Sequence, residues 1–219
     1  MESLKFLENY IDINSCYNQT INYGLGFSFF IILAYVLKPP ETSIFIVLIT
    51  LICIPAWSYI MHRTLHNIDE WGILKEFNTH LTFHHAYDKP LPRSLELFLE
   101  MITDIFVINL SVIPFQLILG RTILSLSTIL LYTLAYSSIH LFNYSIIGTK
   151  FHGLHHKTKD KNFTPDMFDH FFGTNYSEER EDLNPTVINL LGTTAVLYYF
   201  KDTIHEYEKW LFSQNQEVK

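Results

Sequence analysis

The sequence predicts an all-α, polytopic membrane protein with four transmembrane helices in two hairpins and a histidine-rich helical cap on one side of the membrane. Three observations favour this fold class. Of the 219 residues, 48% are hydrophobic and only 17% are charged, whereas roughly a quarter of the residues are charged in soluble domains. The apolar residues form stretches close to the roughly 20 residues that a helix needs to cross a bilayer. Most histidines lie in the polar segments that follow these stretches.

Two uncharged stretches, 21–37 and 42–61, predict the first hairpin. The turn between them, 38–41, contains two prolines and two charged residues, and proline ends helices. Segment 1–20 begins with acidic residues instead of the basic start of a signal peptide. We therefore expect 1–20 to be a cytosolic N-terminal segment, followed directly by the first pair of spans.

The second hairpin is predicted at 97–119 and 122–139. The first of these stretches contains Glu100 and Asp104, which share a helical face with Glu96 because residues four apart lie one turn from each other. We expect this face to lie at the water interface or against protein. The alternative is that Glu100 or Asp104 serves a functional site from the interior of the bundle.

The rest of the chain is expected to complete one membrane domain over 21–219. Segments 62–96 and 140–182 form the cap, which connects and follows the two hairpins. A last apolar stretch lies within about 183–210, but it contains asparagines, threonines and a proline. This composition is too polar for a span, so we predict an interfacial or buried helix there.

Basic residues predict how the spans are oriented. Of the 15 lysines and arginines, only Lys38 and Arg121 fall at the short turns within the hairpins, which leaves 13 on the other side. Basic residues accumulate on the cytosolic side of membrane proteins. We therefore expect a multi-pass integral membrane protein whose cap lies on the cytosolic face, at the endoplasmic reticulum if the cell is eukaryotic.

Charge and cysteine content argue against two other classes. The net charge of −7 gives no basic surface for nucleic acid, so no nucleic-acid partner is expected. Cys16 and Cys53 form no CxxC pair, and they predict neither a disulfide framework nor a thiolate metal site.

Nine of the 11 histidines lie in two windows, 62–85 and 140–156. Most are three or four residues from another histidine and would share a helical face with it, although His85 would lie about 100° beyond His84 on an α-helix. Neutral imidazole is a common ligand of iron, zinc, copper and nickel. Nine imidazoles suit two metal ions. The predicted ligands are His62, His66, His80, His84, His85, His140, His152, His155 and His156.

One HxxxH pair arises easily by chance, so the prediction of a metal site depends on the whole set. The sequence lacks the HExxH of zinc metalloproteases, and no histidine has a glutamate three residues before it, as soluble di-iron bundles require. It also lacks a phosphate loop and a GxGxxG motif, so we expect no nucleotide cofactor of its own. For His170 and His205, which lie outside the clusters, we predict non-ligand roles.

In this order and context, the motifs resemble the fatty acid hydroxylase / sterol desaturase superfamily. The matching motifs are HRTLH at 62–66, HLTFHH at 80–85, His140, FHGLHH at 151–156, and NF at 162–163 followed by PDMFDHFFGT at 165–174. The resemblance extends from about Ala56 to Thr174, over half of the chain. It is specific for the superfamily but not for one substrate.

Two positions depart from the family pattern. The second cluster is HxxxHH instead of the common HxxHH, so that Leu81 stands where a histidine would be. His80 would then reach a metal through a change of helix phase. Tyr144 occupies a position at which some members have a further histidine.

The resemblance implies an oxygenase in which the histidines hold two iron ions and form the catalytic centre. Such an enzyme uses O₂ to hydroxylate or desaturate a C–H bond of a lipid, fatty acyl or sterol-type, in lipid biosynthesis. The lipid substrate would enter from the bilayer, and electrons would come from an external cytochrome b5-, ferredoxin- or reductase-type donor. Each imidazole should be oriented by a hydrogen-bond partner of the ring nitrogen that does not bind metal, called an outer partner here. The candidates are Asp169 and Asn162, which the resemblance supports most, and Asp88, Asp166 and Asn143.

Two functions from other classes remain open. One is a histidine-rich membrane metal transporter or storage protein, and the other is an inactive relative that binds lipid. Transporters tend to place their ligands near the membrane midplane, whereas these histidines follow the ends of predicted spans. The complete histidine set argues against an inactive relative.

Overall fold

The computed structural model describes residues 24–68, 72, 78, 80–85, 91–118, 123–147, 155–158, 160–175 and 183–214. Helix is the only regular secondary structure among these residues, which confirms the all-α class. Several of the helices lie side by side as a bundle, and the segments that carry the histidines meet at one end of it.

The first hairpin consists of α1, Gly24–Leu37, and α2, Ile44–Asn67. Helix α2 begins where predicted because the Ser43 hydroxyl accepts a hydrogen bond from the backbone N–H of Ile46 at 3.3 Å, which caps the first turn. It extends further than the predicted span, through the whole HRTLH motif. The first histidine pair is therefore built on the same helix as the apolar stretch.

The second hairpin contains two helices that each change their winding. The first combines α3, Arg93–Ile102, a π-helical segment, Thr103–Asn109, and α4, Val112–Ile118. The second is α5, Leu126–Ile139, which continues into a π-helical segment, His140–Ile147. Both π-helical segments lie next to the histidines, in agreement with the frequent occurrence of π-helical turns at functional sites.

Two helices, Ile44–Asn67 and Arg93–Ile118, are long and apolar enough to cross a membrane. Shorter apolar helices cover Gly24–Leu37, Leu126–Phe142 and Val187–Tyr199. Many large apolar side chains on these helices are exposed, among them Ile52 at 60%. An apolar exterior of this kind suits contact with lipid.

The core contains small and aliphatic residues that let the helices approach closely. Ala34 of α1 and Ala135 of α5 are completely buried, and they pack in one cluster with Val47 and Leu51 of α2. This cluster joins both predicted hairpins.

The C-terminal part differs from the single interfacial or buried helix predicted at 183–210. After the short helix α6, Asp166–Phe172, it forms two helices, α7, Leu183–Tyr199, and α8, Lys201–Gln214. Helix α7 packs into the core through Leu190 and Leu197, which belong to the cluster formed by α1, α2 and α5. Its polar residues are accommodated within the helix, since the Thr194 hydroxyl donates to the carbonyl of Leu190 at 2.8 Å.

Helix α8 covers the end of the bundle that lies opposite the histidines. Buried Glu208 accepts hydrogen bonds from the Thr42 hydroxyl at 3.0 Å and from the backbone N–H of Ser127 at 2.8 Å. Thr42 precedes α2 and Ser127 lies in the first turn of α5, whereas the histidines are at the other ends of these helices. The carboxylate satisfies an N–H of the first turn of α5, where negative charge is favoured.

Candidate metal centre

Histidines from four separate segments meet at one end of the bundle. Helix α2 provides a pair in its last turns, a short segment around the second motif provides three, one lies at the junction of α5 with its π-helical extension, and two lie at 155–156. The side chains brought together are His62, His66, His80, His84, His85, His140, His155 and His156, with neighbouring ring centroids 4.4–6.4 Å apart.

One group within this cluster consists of His62, His66, His80 and His155. Each offers a ring nitrogen within 4.8 Å of the others. Nε2 of His80 lies 3.0 Å from Nε2 of His62 and 3.1 Å from Nε2 of His66. A neutral imidazole has one N–H and one acceptor nitrogen, so one proton cannot satisfy several converging nitrogens. A metal ion can, because it accepts a lone pair from each imidazole.

The second histidine motif is gathered onto one face by a π-helical segment, His80–His84. The backbone N–H of His85 donates to the carbonyl of His80 at 3.2 Å, and an i→i+5 bond of this kind brings residue i+5 back beside residue i. The rings of His84 and His85 consequently lie 5.0 and 4.9 Å from the ring of His80. This is the change of helix phase that the spacing HxxxHH required.

The donor set fits a metal. His80, His84 and His85 form a second group whose ring nitrogens lie within 4.8 Å of one another. Both ring nitrogens of His85 are buried and form no hydrogen bond among the described residues. Because buried polar atoms are rarely left unsatisfied, coordination of a metal explains this side chain better than packing does.

Two buried carboxylates, Glu100 and Asp104, reach the cluster from the 93–118 helix. Oδ2 of Asp104 lies 2.7 Å from Nδ1 of His140, and Glu100 lies beside both His84 and His140. The expectation that this face lies at the water interface or against protein holds in its second form, since Glu100 and Asp104 are buried. Their contacts with the histidines also agree with the alternative of an approach from the bundle interior. The sequence indicates this inward position of the two carboxylates, since a charge within an apolar stretch is costly unless it faces polar partners.

Hydrogen bonds fix the orientation of individual rings. Nδ1 of His155 lies 2.6 Å from the carbonyl oxygen of Lys161, which can only accept, so Nδ1 carries the proton. The same argument applies to His140, whose Nδ1 donates to the carboxylate of Asp104. Outer partners of this kind select the tautomer in which Nε2 can coordinate.

Asp169 supports the loop that follows the last histidines. Its carboxylate accepts hydrogen bonds from the backbone N–H groups of Phe163 and Thr164 and from the hydroxyl of Thr174, at 2.7–2.9 Å. Asn162 and Thr164 both have positive φ values, 57° and 52°, which are unfavourable for residues other than glycine. These hydrogen bonds give Asp169 a role in the structure of the loop that follows Lys161, whose carbonyl accepts from His155.

Burial favours the neutral form of several of these imidazoles. It lowers the pKa of His85 far below its ordinary value, and the neighbouring His155 and His84 lower it further. Burial also lowers the pKa of His80 and His155, and it brings the pKa of His156 to about 3. Neutral imidazoles are the form that coordinates metal.

The other predicted site residues are placed as follows. His152 and Asp88 lie outside the described residues, as do the side chains of Asp166, Asn143 and His170. Asn162 is buried, and its backbone N–H donates to the carbonyl of Thr174 at 2.9 Å. His205 lies at the opposite end of the bundle with Nε2 2.8 Å from the carbonyl oxygen of Leu37, in agreement with its predicted non-ligand role.

Comparison with known proteins agrees with this arrangement. A family described as fatty acid hydroxylase matches residues 47–174, which is more than half of the chain and includes all nine predicted ligands. No curated protein and no solved structure matches the chain. The resemblance inferred from the histidine motifs is thereby confirmed, and the protein belongs to the fatty acid hydroxylase family.

Proposed function

We propose that the protein is a membrane-bound di-iron oxygenase that hydroxylates or desaturates a C–H bond of a lipid, fatty acyl or sterol-type. It uses O₂ and electrons from an external donor of the cytochrome b5, ferredoxin or reductase type. The observation that supports this most directly is the convergence of buried imidazole nitrogens from separate segments in a member of the fatty acid hydroxylase family. When bound, iron supplies the activation of O₂ for attack on an unactivated C–H bond.

The described histidines divide into two neighbouring sets that would each hold one ion. The first set surrounds His80, and the second surrounds His84, whose ring centroid lies 4.4 Å from that of His156 and 5.3 Å from that of His140. His62, His66, His80 and His155 would hold the first ion, and His84, His85, His140 and His156 would hold the second.

Neighbouring groups of the protein keep two of these ligands in the tautomer that can bind a metal. Asp104 and the Lys161 carbonyl hold the Nδ1 protons of His140 and His155, which leaves Nε2 of each ring available to a metal. Burial excludes bulk water, since His155 is 0% exposed. A dry and ordered site protects a reactive centre from side reactions.

A lipid is the substrate class that suits the surroundings of the site. We place α1, α2, the 93–118 helix and α5 in the bilayer with the histidines at their cytosolic ends. Exposed apolar side chains continue up to the histidines, with Ile60 at 53%, Phe106 at 57% and Phe142 at 49%. An apolar chain could approach the centre along this surface without entering water, while its polar head stays near the interface.

The test combines metal content with product analysis. Membranes that contain the wild-type protein, His155→Ala or His205→Ala would be supplied with isotope-labelled O₂, and their lipids would be analysed by mass spectrometry. We expect the wild type to bind iron and to form a hydroxylated or desaturated lipid. His155→Ala should lose iron and product together, whereas the matched control His205→Ala should keep both.

The same experiment separates the alternatives. Bound metal without an oxidised lipid, in the presence of a competent electron donor, would favour a metal transporter or storage protein. Neither metal nor product would favour an inactive lipid-binding relative. Full iron and full activity in His155→Ala would contradict the shared two-metal site.

A further inference from the structure

We infer that Glu100 is a direct ligand of the metal centre, so that the site is completed by a carboxylate in addition to its imidazoles. This inference rests on the proposed function, because it assigns a residue to the same metal site. Glu100 lies on α3 with its side chain only 1% exposed, and its oxygens are 3.3 Å from Nδ1 of His84 and 3.6 Å from Nε2 of His140.

The hydrogen bond between Asp104 and His140 determines whether the His140 nitrogen that faces Glu100 is a donor or an acceptor. Nδ1 of His140 donates to Asp104 at 2.7 Å, and a neutral imidazole has only one N–H. Nε2 of His140 therefore carries a lone pair toward Glu100, whose ionised oxygens can only accept. Two acceptors are brought together in a buried position, and a cation between them would bind both.

The distances from the Glu100 oxygens to His84 and His140 indicate that this cation is a metal ion. Most N–H···O hydrogen bonds span about 2.7–3.2 Å, and the two distances from Glu100, 3.3 and 3.6 Å, are longer than this usual range. Nitrogen and oxygen ligands lie about 2.0–2.2 Å from a tetrahedral metal ion, so two of them are roughly 3.4 Å apart. One ligand atom from each of His84, Glu100 and His140 lies within 4.8 Å of the others.

Glu100 differs in this respect from Asp104. Asp104 contacts Nδ1 of His140, the nitrogen that faces away from the metal centre and is called the outer nitrogen here. A partner at this nitrogen orients a ligand but does not bind the metal. Glu100 cannot have that role for His140, because the outer nitrogen is already used. Its negative charge also offsets part of the charge that two metal ions bring into a buried cluster of neutral rings.

The experiment uses Co²⁺ as a spectroscopic probe in the purified full-length protein. Glu100→Gln removes the charge and Glu100→Asp keeps the charge but shortens the reach. Glu96→Gln is the matched control, since Glu96 lies one turn earlier on α3 and pairs with Arg93 at 2.7 Å. Cobalt per chain, the cobalt absorption spectrum and the resistance to a chelator would be measured.

We expect both Glu100 variants to change the cobalt spectrum and to lose affinity for one ion by more than the ~10–100-fold that loss of an outer partner costs. Glu96→Gln should match the wild type. Full cobalt content with an unchanged spectrum in either folded Glu100 variant would overturn the inference. Failure of the wild type to bind cobalt would instead count against the proposed function.

A measurement on the wild type does not depend on the folding of the variants. The infrared difference spectrum between cobalt-loaded and metal-free protein should show a shifted carboxylate stretching band that persists in Glu96→Gln. Normal cobalt binding without any carboxylate shift would exclude coordination by Glu100.

Discussion

Replacement of Asp169 by Asn tests how the loop after the histidines supports the metal centre. Asp169 is completely buried, and its two oxygens accept three hydrogen bonds, from Phe163, Thr164 and Thr174. Asn has nearly the same shape but offers one acceptor oxygen and one NH₂ donor. At least one buried N–H or O–H group of the loop would then face another donor.

The expected cost follows from these contacts. A hydrogen bond to a charged group contributes about 1.5–3 kcal/mol, and an unsatisfied buried donor costs about 1–3 kcal/mol. We call the observed conformation, in which Asp169 accepts these hydrogen bonds, the closed loop, and a conformation without them the open loop. We therefore expect Asp169→Asn to destabilise the closed loop relative to the open loop by about 3 kcal/mol, since the remaining bonds also lose their charged acceptor. This change raises the population of the open loop roughly 100-fold, because 1.4 kcal/mol corresponds to a factor of ten. The positive φ values of Asn162 and Thr164 favour opening once the carboxylate is gone.

The open loop should weaken metal binding through His155. Nδ1 of His155 donates to the carbonyl of Lys161 at 2.6 Å, and Lys161 adjoins the first residue with positive φ. Loss of an outer partner costs ~10–100-fold in metal affinity or activity. Iron per chain after equilibration with a graded chelator, turnover and the thermal midpoint should therefore all decrease.

Asp160→Asn is the matched control, because Asp160 lies in the same region of the chain but is exposed. It should leave all three quantities unchanged. If Asp169→Asn lowered only the thermal midpoint, with normal iron retention and turnover, the link between this loop and the metal centre would be refuted and Asp169 would be a purely structural residue.

Three further predictions concern the rest of the molecule. Because α8 covers the end opposite the histidines, α7 would cross the bilayer as a fifth span in addition to the four helices placed there above. Reporters placed in the 67–79 loop and after Lys219 should then report opposite sides of the membrane, and two cytosolic signals would restore the arrangement expected from basic residues alone. Glu208→Gln removes a charged acceptor of the Ser127 N–H and should cost about 1.5–3 kcal/mol, seen as a lower thermal midpoint with unchanged iron content. In the metal-free protein, the pKa of His156 is about 3, below its value of roughly 6.5 in the unfolded chain. The unfolded chain therefore gains the proton first, and the thermal midpoint should fall as the pH is lowered from about 7 to about 5; a midpoint that rises or stays constant would contradict this sign.

The apolar stretches predicted the bundle because hydrophobicity and length are local properties of the sequence. They predicted α1 and α5 to within a few residues, but they left open whether the helix expected within 183–210 is interfacial or buried, because its polar side chains could face water or be satisfied inside the bundle. In α7, Thr194 bonds to a carbonyl of its own helix and Leu190 belongs to a core cluster that includes residues of α1, α2 and α5. Such compensation depends on neighbours that a single stretch of sequence does not identify.

The histidine clusters were predicted because the histidines lie close together in the sequence. Which of these histidines lie side by side in space was not predicted. The α-helical period separates His85 from His84 by about 100°, and only the π-helical turn returns it to the side of His80. The roles of Glu100 and Asp104 depend on contacts between the 93–118 helix and distant histidines. Spacing along one helix cannot predict contacts of this kind.

The hydrogen bond between Glu208 and Ser127 also has a consequence for the order in which the protein is made. A ribosome produces Ser127 and every predicted metal ligand long before it reaches Glu208, so the first turn of α5 is made without the carboxylate that later caps it. The last helix then joins the bundle from its far end and completes it after the metal-binding segments are already in place. Premature termination just before α8 would therefore release a chain that retains all the predicted metal ligands but lacks the final contact that holds its two hairpins together.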